Sequence, residues 1–287
     1  MNFHERRGSL PPWRKLLYIR QPYPDNYTDS SFLSQLKRNT TVQRHSFYKL
    51  TTDFSLISLH LNVLAITHIV FIGIYSLSWN PTIPVSLSSL GTALLYTAYT
   101  LTTTSTQRFF TNAIRSSLVI TIFTLTLSPV LKSLSESTSS DSIWSLSVWL
   151  TIMNIITTDY HFDLHHKFNP IFATNMLLAD VTVLASRLDS STAVFCFVLF
   201  AVQIHGLFPI WQTWMRQTHP RTHWPIYTLV AIVVCAFIFN ILGSQVLLVW
   251  VFIQICVVLG CPIYFIVLQK YKDELQGPWD PAQPKLR

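Results

Sequence analysis

From about residue 54 to residue 268 the chain is a succession of apolar runs with short polar breaks, without the strict alternation that marks half-buried strands. Eight runs follow one another: 54–78, 82–101, 115–133, 143–158, 170–186, 193–215, 226–243 and 245–268. A helix needs ~20 apolar residues, within a range of ~17–25, to cross the hydrocarbon core of a bilayer. The first, sixth and eighth runs meet that easily. The second, "TIPVSLSSLGTALLYTAYTL", is rich in Ser and Thr, which suits close helix packing but dilutes its hydropathy. The fourth and fifth are short, so tilt, local thinning or a re-entrant path stays open for them. The pattern predicts an all-α fold, a polytopic transmembrane helical bundle of about eight spans. Residues 1–53 form a basic tail, 54–268 the bundle and 269–287 a second tail.

Composition supports the class. Half the chain is hydrophobic and 11% is charged, whereas a soluble domain carries about 25% charged residues. Seven glycines suit helices better than glycine-rich turns. No apolar leader segment occurs among the basic residues of the first fifty, so no cleavable signal peptide is expected. Cys196, Cys235, Cys256 and Cys261 all fall inside apolar runs. They read as small buried hydrophobes, with no disulfide framework or metal site expected. A pI of 9.3 would suit nucleic acid, but the cations flank apolar runs, as topology signals and lipid-headgroup contacts do. No nucleic-acid partner is expected.

Charge also orients the bundle. With eight spans and both ends cytoplasmic, all 20 Lys and Arg except Lys132 and Arg187 fall on the cytoplasmic side. That asymmetry is the positive-inside pattern. Asn26 and Asn39 each head an N-x-T sequon in the N-terminal tail. On the cytoplasmic side neither meets the lumenal glycosylation machinery, so both are expected to be bare.

Catalytic signatures are scarce. A nucleotide-sugar or ATP enzyme needs a phosphate-cradling βαβ domain of ~100 residues or more, and the chain has neither G-x-G-x-x-G nor a P-loop. Membrane glycosyltransferases with lipid-linked donors commonly carry an acidic motif in their first lumenal loop; here it is "WNPTIP", without a carboxylate. Catalysis by this chain alone is not expected, and no cofactor is implied. "DYHFDLHH", 159–166, gathers Asp159, His161, Asp163, His165 and His166. A metal site needs tetrahedral convergence, and a solvated interfacial loop is the expected reading. His60, His68 and His205 lie within spans, where interhelical hydrogen bonding is expected. Asp180 is mid-span, an expensive place for a carboxylate. Arg187, seven residues on, is expected to pair with it or to snorkel to the lumenal interface. One such acid is too little for an ion pathway.

Two polar segments stand out. In "PYPDNYTD", 22–29, Pro22 and Pro24 fix φ on either side of Tyr23, and Asp25 with Asn26 favours a closed turn before Tyr27. In "SPVLKSLSESTSSDSIW", 128–144, Pro129 follows Ser128 and is expected to bend or end the third span. Lys132 and Glu136 share a helical face at i,i+4, and Asp141 is placed to cap the fourth span. A docking surface or polar wedge and a well-capped lumenal connector both fit this block.

Four stretches then converge. "PWRKLLYIRQPYPDNYTDSSFL" (12–33), "LTLSPVLKSLSESTSSDSIWSLSVWL" (125–150), "LASRL" (184–188) and "QGPWDPAQPKL" (276–286) resemble, in order and spacing, the PIG-C family. Its members are the multi-spanning C subunit of phosphatidylinositol N-acetylglucosaminyltransferase. The resemblance covers essentially the whole chain. It implies a non-catalytic subunit in the first step of GPI-anchor biosynthesis, at the endoplasmic reticulum membrane. There GlcNAc passes from UDP-GlcNAc to phosphatidylinositol on the cytoplasmic face. The resemblance also implies a separate catalytic glycosyltransferase, PIG-A, and the further partners PIG-H, PIG-P, PIG-Q and PIG-Y.

Within that frame, Trp13, Leu16 and Leu17 are expected to lie in the headgroup layer, with Arg14, Lys15 and Arg20 reaching phosphates. "PYPDNYTD" then forms a rigid platform for a partner chain, with Tyr23 and Tyr27 as anchors. Pro278, Trp279 and Asp280 of "GPWD" emerge on the same face and could close against it. The competing reading is a folded-back segment that only seals the bundle. A second expectation is direct binding of phosphatidylinositol, with Arg108, Arg115, Arg216 and Arg221 as headgroup contacts; simple attraction to anionic lipid competes with it. A stand-alone membrane glycosyltransferase or lipid transporter is the remaining alternative.

Overall fold

The computed structural model describes residues 14, 20–24, 27, 37–38, 45–102, 107–133, 139–160, 171–272 and 275–276. Side chains are described for all of these except 37–38, 101–102, 107–114 and 275–276.

Among the described residues, eight helical rods occupy the places of the eight apolar runs. They are α1 (Phe47–Ser76), α2 (Thr82–Thr102), α3 (Gln107–Ser133), α4 (Ser140–Thr157) and α5 (Ile171–Ala185), followed by three composite rods. In the sixth, α6 (Ser191–Val202) runs through a π-helical turn, Gln203–Leu207, into α7 (Phe208–Thr218). A 3₁₀ turn at Pro220–Thr222 leads into α8 (His223–Leu242). In the last, α9 (Ser244–Ile255) passes a second π turn, Cys256–Gly260, into α10 (Cys261–Gln269). Among the described residues, five segments are long and apolar enough to cross a membrane: Phe47–Ser76, Arg115–Ser133, Ser191–Thr218, Pro220–Leu242 and Ser244–Gln269. These rods form an all-helical membrane bundle.

Local chemistry sets the rod ends. Asn80 Oδ1 accepts from the Thr82 amide (3.1 Å) and hydroxyl (2.8 Å), opening α2. Ser190 Oγ accepts from the Ala193 amide at 3.1 Å and caps α6. Gly243, at φ +86°, makes the corner between α8 and α9, a conformation that costs a side-chain-bearing residue far more. Of the two outcomes expected of Pro129, a bend or an end, the end is excluded, because α3 continues past it to Ser133. The proline removes the amide that would bond the Leu125 carbonyl, and the Ser128 hydroxyl donates to that same carbonyl at 2.9 Å. The cap of α4 is a correction. Ser139 is the N-cap residue, and Asp141 sits in the first turn, where the helix dipole favours a carboxylate.

α6 is the centre of the bundle. Its Val194, Phe197, Val198 and Ala201 are buried against Phe71 of α1, Leu131 of α3 and Val181 and Leu184 of α5. A second cluster joins Ile69 of α1 to Val234 and Ile238 of α8. Outward-facing Ile156, Ile210, Leu248 and Phe252 are all more than 65% exposed, as suits a surface solvated by lipid. All four cysteines are free, but only Cys196 is buried. Cys256 and Cys261 lie on the outside of the last rod, contrary to the expectation of buried positions.

The chain divides into two units, 47–263 and a smaller one built from 1–46 and 264–287. In the smaller unit, β1 (Lys37–Arg38) pairs antiparallel with β2 (Leu275–Gln276), in the register Lys37↔Gln276 and Arg38↔Leu275. The Tyr27 amide donates to the Pro24 carbonyl at 2.9 Å, an i→i+3 turn that brings the Tyr23 and Tyr27 rings to 4.2 Å between centroids.

Candidate functional site

Polar residues on α1 fall on two faces of the helix, and each face meets other rods. Ser55, Ser58 and Asn62 recur at spacings of three and four, and all are fully buried. Ser55 Oγ is 2.6 Å from His223 Nε2, and Ser58 Oγ is 3.0 Å from the Tyr227 hydroxyl. Ser58 also donates to Gln254 Oε1. In this way α1 is tied to α8 and α9.

The other face meets α4, α5 and the first π turn. His60 Nε2 donates to Asn154 Oδ1 at 3.0 Å, and Asn154 Nδ2 donates to the Ala173 carbonyl at 2.8 Å. His205, carried by the π turn, lies 2.8 Å from the Thr67 hydroxyl. Asp180 is 1% exposed. It accepts from Ser147 (2.5 Å) and Thr151 (3.1 Å), and His68 Nε2 stands 3.6 Å from its Oδ2. His68 Nδ1 is 2.9 Å from the Leu64 carbonyl and so carries its hydrogen there. The Thr151 hydroxyl also lies 3.3 Å from His68 Nε2. Of the two roles expected of Arg187, pairing with Asp180 is not the one found: Asp180 is held by Ser147, Thr151 and His68, and Arg187 lies beyond the end of α5 in a backbone turn closed to Leu184. The seam holds a buried carboxylate by three partners and fixes how the rods are rotated against one another.

A second feature is a groove of about 1520 Å³ between α2, the start of α3 and the α6–α7 rod. Gln203, at the π turn, donates to Ser89 Oγ at 2.8 Å and accepts from Ser88, so polar groups in its wall satisfy one another. Tyr99 and Trp214 meet edge to face at one end, with centroids 5.3 Å apart, and Trp79 and Phe237 meet at the other, 6.0 Å apart.

The residues singled out from the sequence are placed as follows. Arg216 Nη2 is 3.8 Å from Asp53 Oδ1, and both side chains are mostly buried. Arg221 is exposed in the 3₁₀ turn, and Arg115 is exposed in α3. Arg108 belongs to the first turns of α3, with its side chain outside the described set. Lys132 is exposed in the last turn of α3, and Glu136 lies outside the described residues. The Arg14 amide donates to Gln21 Oε1 at 2.8 Å, and Gln21 Nε2 returns a bond to the Arg14 carbonyl at 2.5 Å. Arg20, Pro22 and Pro24 are exposed, Tyr23 is half-buried and Tyr27 is 38% exposed. Trp13, Lys15, Asp25, Asn26, Pro278, Trp279 and Asp280 lie outside the described residues, as do 161–166 of the His-rich loop. At that loop's start, burial pushes the pKa of the Tyr160 hydroxyl up to about 12. Among the described residues no three His, Cys, Asp or Glu converge as a metal site.

A family model described as GPI2, phosphatidylinositol N-acetylglucosaminyltransferase, matches residues 13–280. The chain belongs to the GPI2 family. The GPI2 subunit of phosphatidylinositol N-acetylglucosaminyltransferase from Schizosaccharomyces pombe is 37% identical, over 96% of this chain and 87% of its own length. The Saccharomyces cerevisiae GPI2 subunit is 33% identical, over 96% and 98%. The C subunit of the human enzyme is 30% identical, over 95% and 93%. No solved structure matches the chain. GPI2 membership bears out the family resemblance read from the four sequence stretches.

Sequence reasoning passed over the partners of Asp180. A signal was present: Ser147, Thr151 and Asn154 recur at i, i+4 and i+7 along an otherwise apolar helix, one polar stripe facing one neighbour.

Proposed function

We propose that this chain is the non-catalytic membrane subunit of the complex that transfers GlcNAc from UDP-GlcNAc to phosphatidylinositol, the first step of GPI-anchor biosynthesis. One observation carries this: the family match spans 13–280, and the aligned relatives are named as subunits of phosphatidylinositol N-acetylglucosaminyltransferase. The chain acts as a scaffold in the endoplasmic reticulum membrane, crossing it about eight times with both termini cytoplasmic. A PIG-A-like glycosyltransferase does the chemistry, alongside PIG-H-, PIG-P-, PIG-Q- and PIG-Y-like subunits. The positive-inside charge pattern supports the orientation. The interhelical polar seam supports a rigid scaffold, and the paired Tyr23 and Tyr27 support a docking platform on the cytoplasmic tail.

Depletion and restoration test the proposal. Membranes from cells depleted of this chain should lose GlcNAc transfer to phosphatidylinositol, and re-expression should restore it. Undiminished transfer in depleted membranes would contradict the proposal.

A further inference from the structure

The groove between α2, α3 and the α6–α7 rod contains two glycines that close packing does not explain. Gly91 is in the middle of α2, and Gly206 is in the π turn that faces it. Glycine inside a helix costs stability relative to alanine. In membranes that cost is usually offset by close approach of another helix. Here a Cβ at either position would meet no described atom within 4 Å. Both glycines keep space open.

The space has the dimensions of a lipid. At about 1520 Å³ it exceeds the ~300–1,000 Å³ typical of small-molecule sites. It follows α2 from Ile83 to Tyr99, about 24 Å at ~1.5 Å per residue, a length close to the ~30 Å hydrocarbon core. The lining along that length is mostly apolar, which suits flexible acyl chains.

The two ends differ. Ser116, Ser117 and Gln217 line the end that holds Tyr99 and Trp214, and exposed Arg115 directly precedes Ser116. The sequence holds no Lys or Arg from 50 to 107 or from 188 to 215, and toward the opposite end α3 carries Lys132 only in its last turn, well past the groove-lining Thr121. Trp211, one turn in from the polar end, lines the groove, and its buried indole N–H has no acceptor among the described residues. An ester or phosphate oxygen would supply one.

We propose that the groove holds one molecule of phosphatidylinositol, acyl chains along Gly91 and Gly206, headgroup at the Arg115 and Gln217 end. The identity of the lipid rests on the function proposed above, and on that orientation the headgroup faces the cytoplasm. The subunit then holds the acceptor lipid for the transferase.

The test uses the assembled complex, purified through this chain, with bound lipid quantified by mass spectrometry and GlcNAc transfer assayed in parallel. Gly91→Phe and Gly206→Phe place a ring at positions whose Cβ has open space around it. Leu248→Phe, on the outer face of α9, is the control. Wild type and L248F should retain about one phosphatidylinositol per chain, by the one-site stoichiometry proposed. G91F and G206F should assemble, lose the lipid and lose transfer. A photo-crosslinking residue at 206 should label phosphatidylinositol in the otherwise unaltered complex. Assembled G206F with wild-type lipid content and transfer would overturn the inference and leave the subunit role intact, as would crosslinking to a partner's helix instead of lipid. A wild-type complex without any transfer would instead defeat the functional proposal itself.

Discussion

Replacing Asp180 with alanine removes a buried carboxylate on which three side chains of two other helices converge. The Ser147 and Thr151 hydroxyls lose their acceptor, and His68 loses its 3.6 Å partner. Interhelical polar contacts in membranes average ~0.6 kcal/mol and reach ~1.7, whereas hydrogen bonds to charged groups in soluble proteins are worth ~1.5–3. Two bonds plus the His68 contact, each at the membrane average, therefore give about 2 kcal/mol of lost stability. Burying the carboxylate costs energy too, so alanine recovers part of the loss. Asp180→Asn keeps the oxygen facing Ser147 and should lose less. The assay is reversible unfolding in mixed micelles, followed by tryptophan fluorescence, for D180A, S147A and the double variant. A coupling energy of roughly 0.6–1.7 kcal/mol between positions 147 and 180 is expected. D180A as stable as wild type, with no coupling to Ser147, would refute the role given to the seam.

Other predictions concern packing, topology and docking. Gly73→Ala should destabilise by about 1–3 kcal/mol, because its Cβ would lie 2.3–2.6 Å from the Trp79 indole; W79A in the same chain should relieve much of the loss, as thermal unfolding would show. Glycosidase treatment should leave the electrophoretic mobility unchanged, since Asn26 and Asn39 sit on the cytoplasmic side in the proposed topology; a mapped glycan at either would reverse the orientation. Tyr23→Ala with Tyr27→Ala should cut co-purification of the catalytic subunit at unchanged protein level. Losses of both in proportion would mean that the tail only seals the bundle.

Much of the architecture was legible because a bilayer enforces it. Each apolar run had to satisfy its own backbone, so each became a helix. The ends were less legible. α1 starts at Phe47, ahead of the apolar run, because "FYKLTTDF" holds no proline or glycine and a helix extends through polar residues that hydropathy discounts. Asp180 shows a deeper limit. Its own helix offered Arg187 by periodicity, but the true partners come from α1 and α4, and the rotation of one rod against another is not written in either rod alone. Pro129 is similar in kind: the proline was visible, while the repair by Ser128 depends on a side-chain rotamer. The groove was the least legible feature, since it is defined by what Gly91 and Gly206 leave unfilled.

The central claim is that this chain serves a transferase whose chemistry resides in another subunit. The most direct measurement is GlcNAc transfer from UDP-GlcNAc to phosphatidylinositol by material purified through this chain, with and without the co-purifying glycosyltransferase. Transfer only when that partner is present is the predicted result. Transfer by the chain alone, or none from the intact assembly, would contradict it.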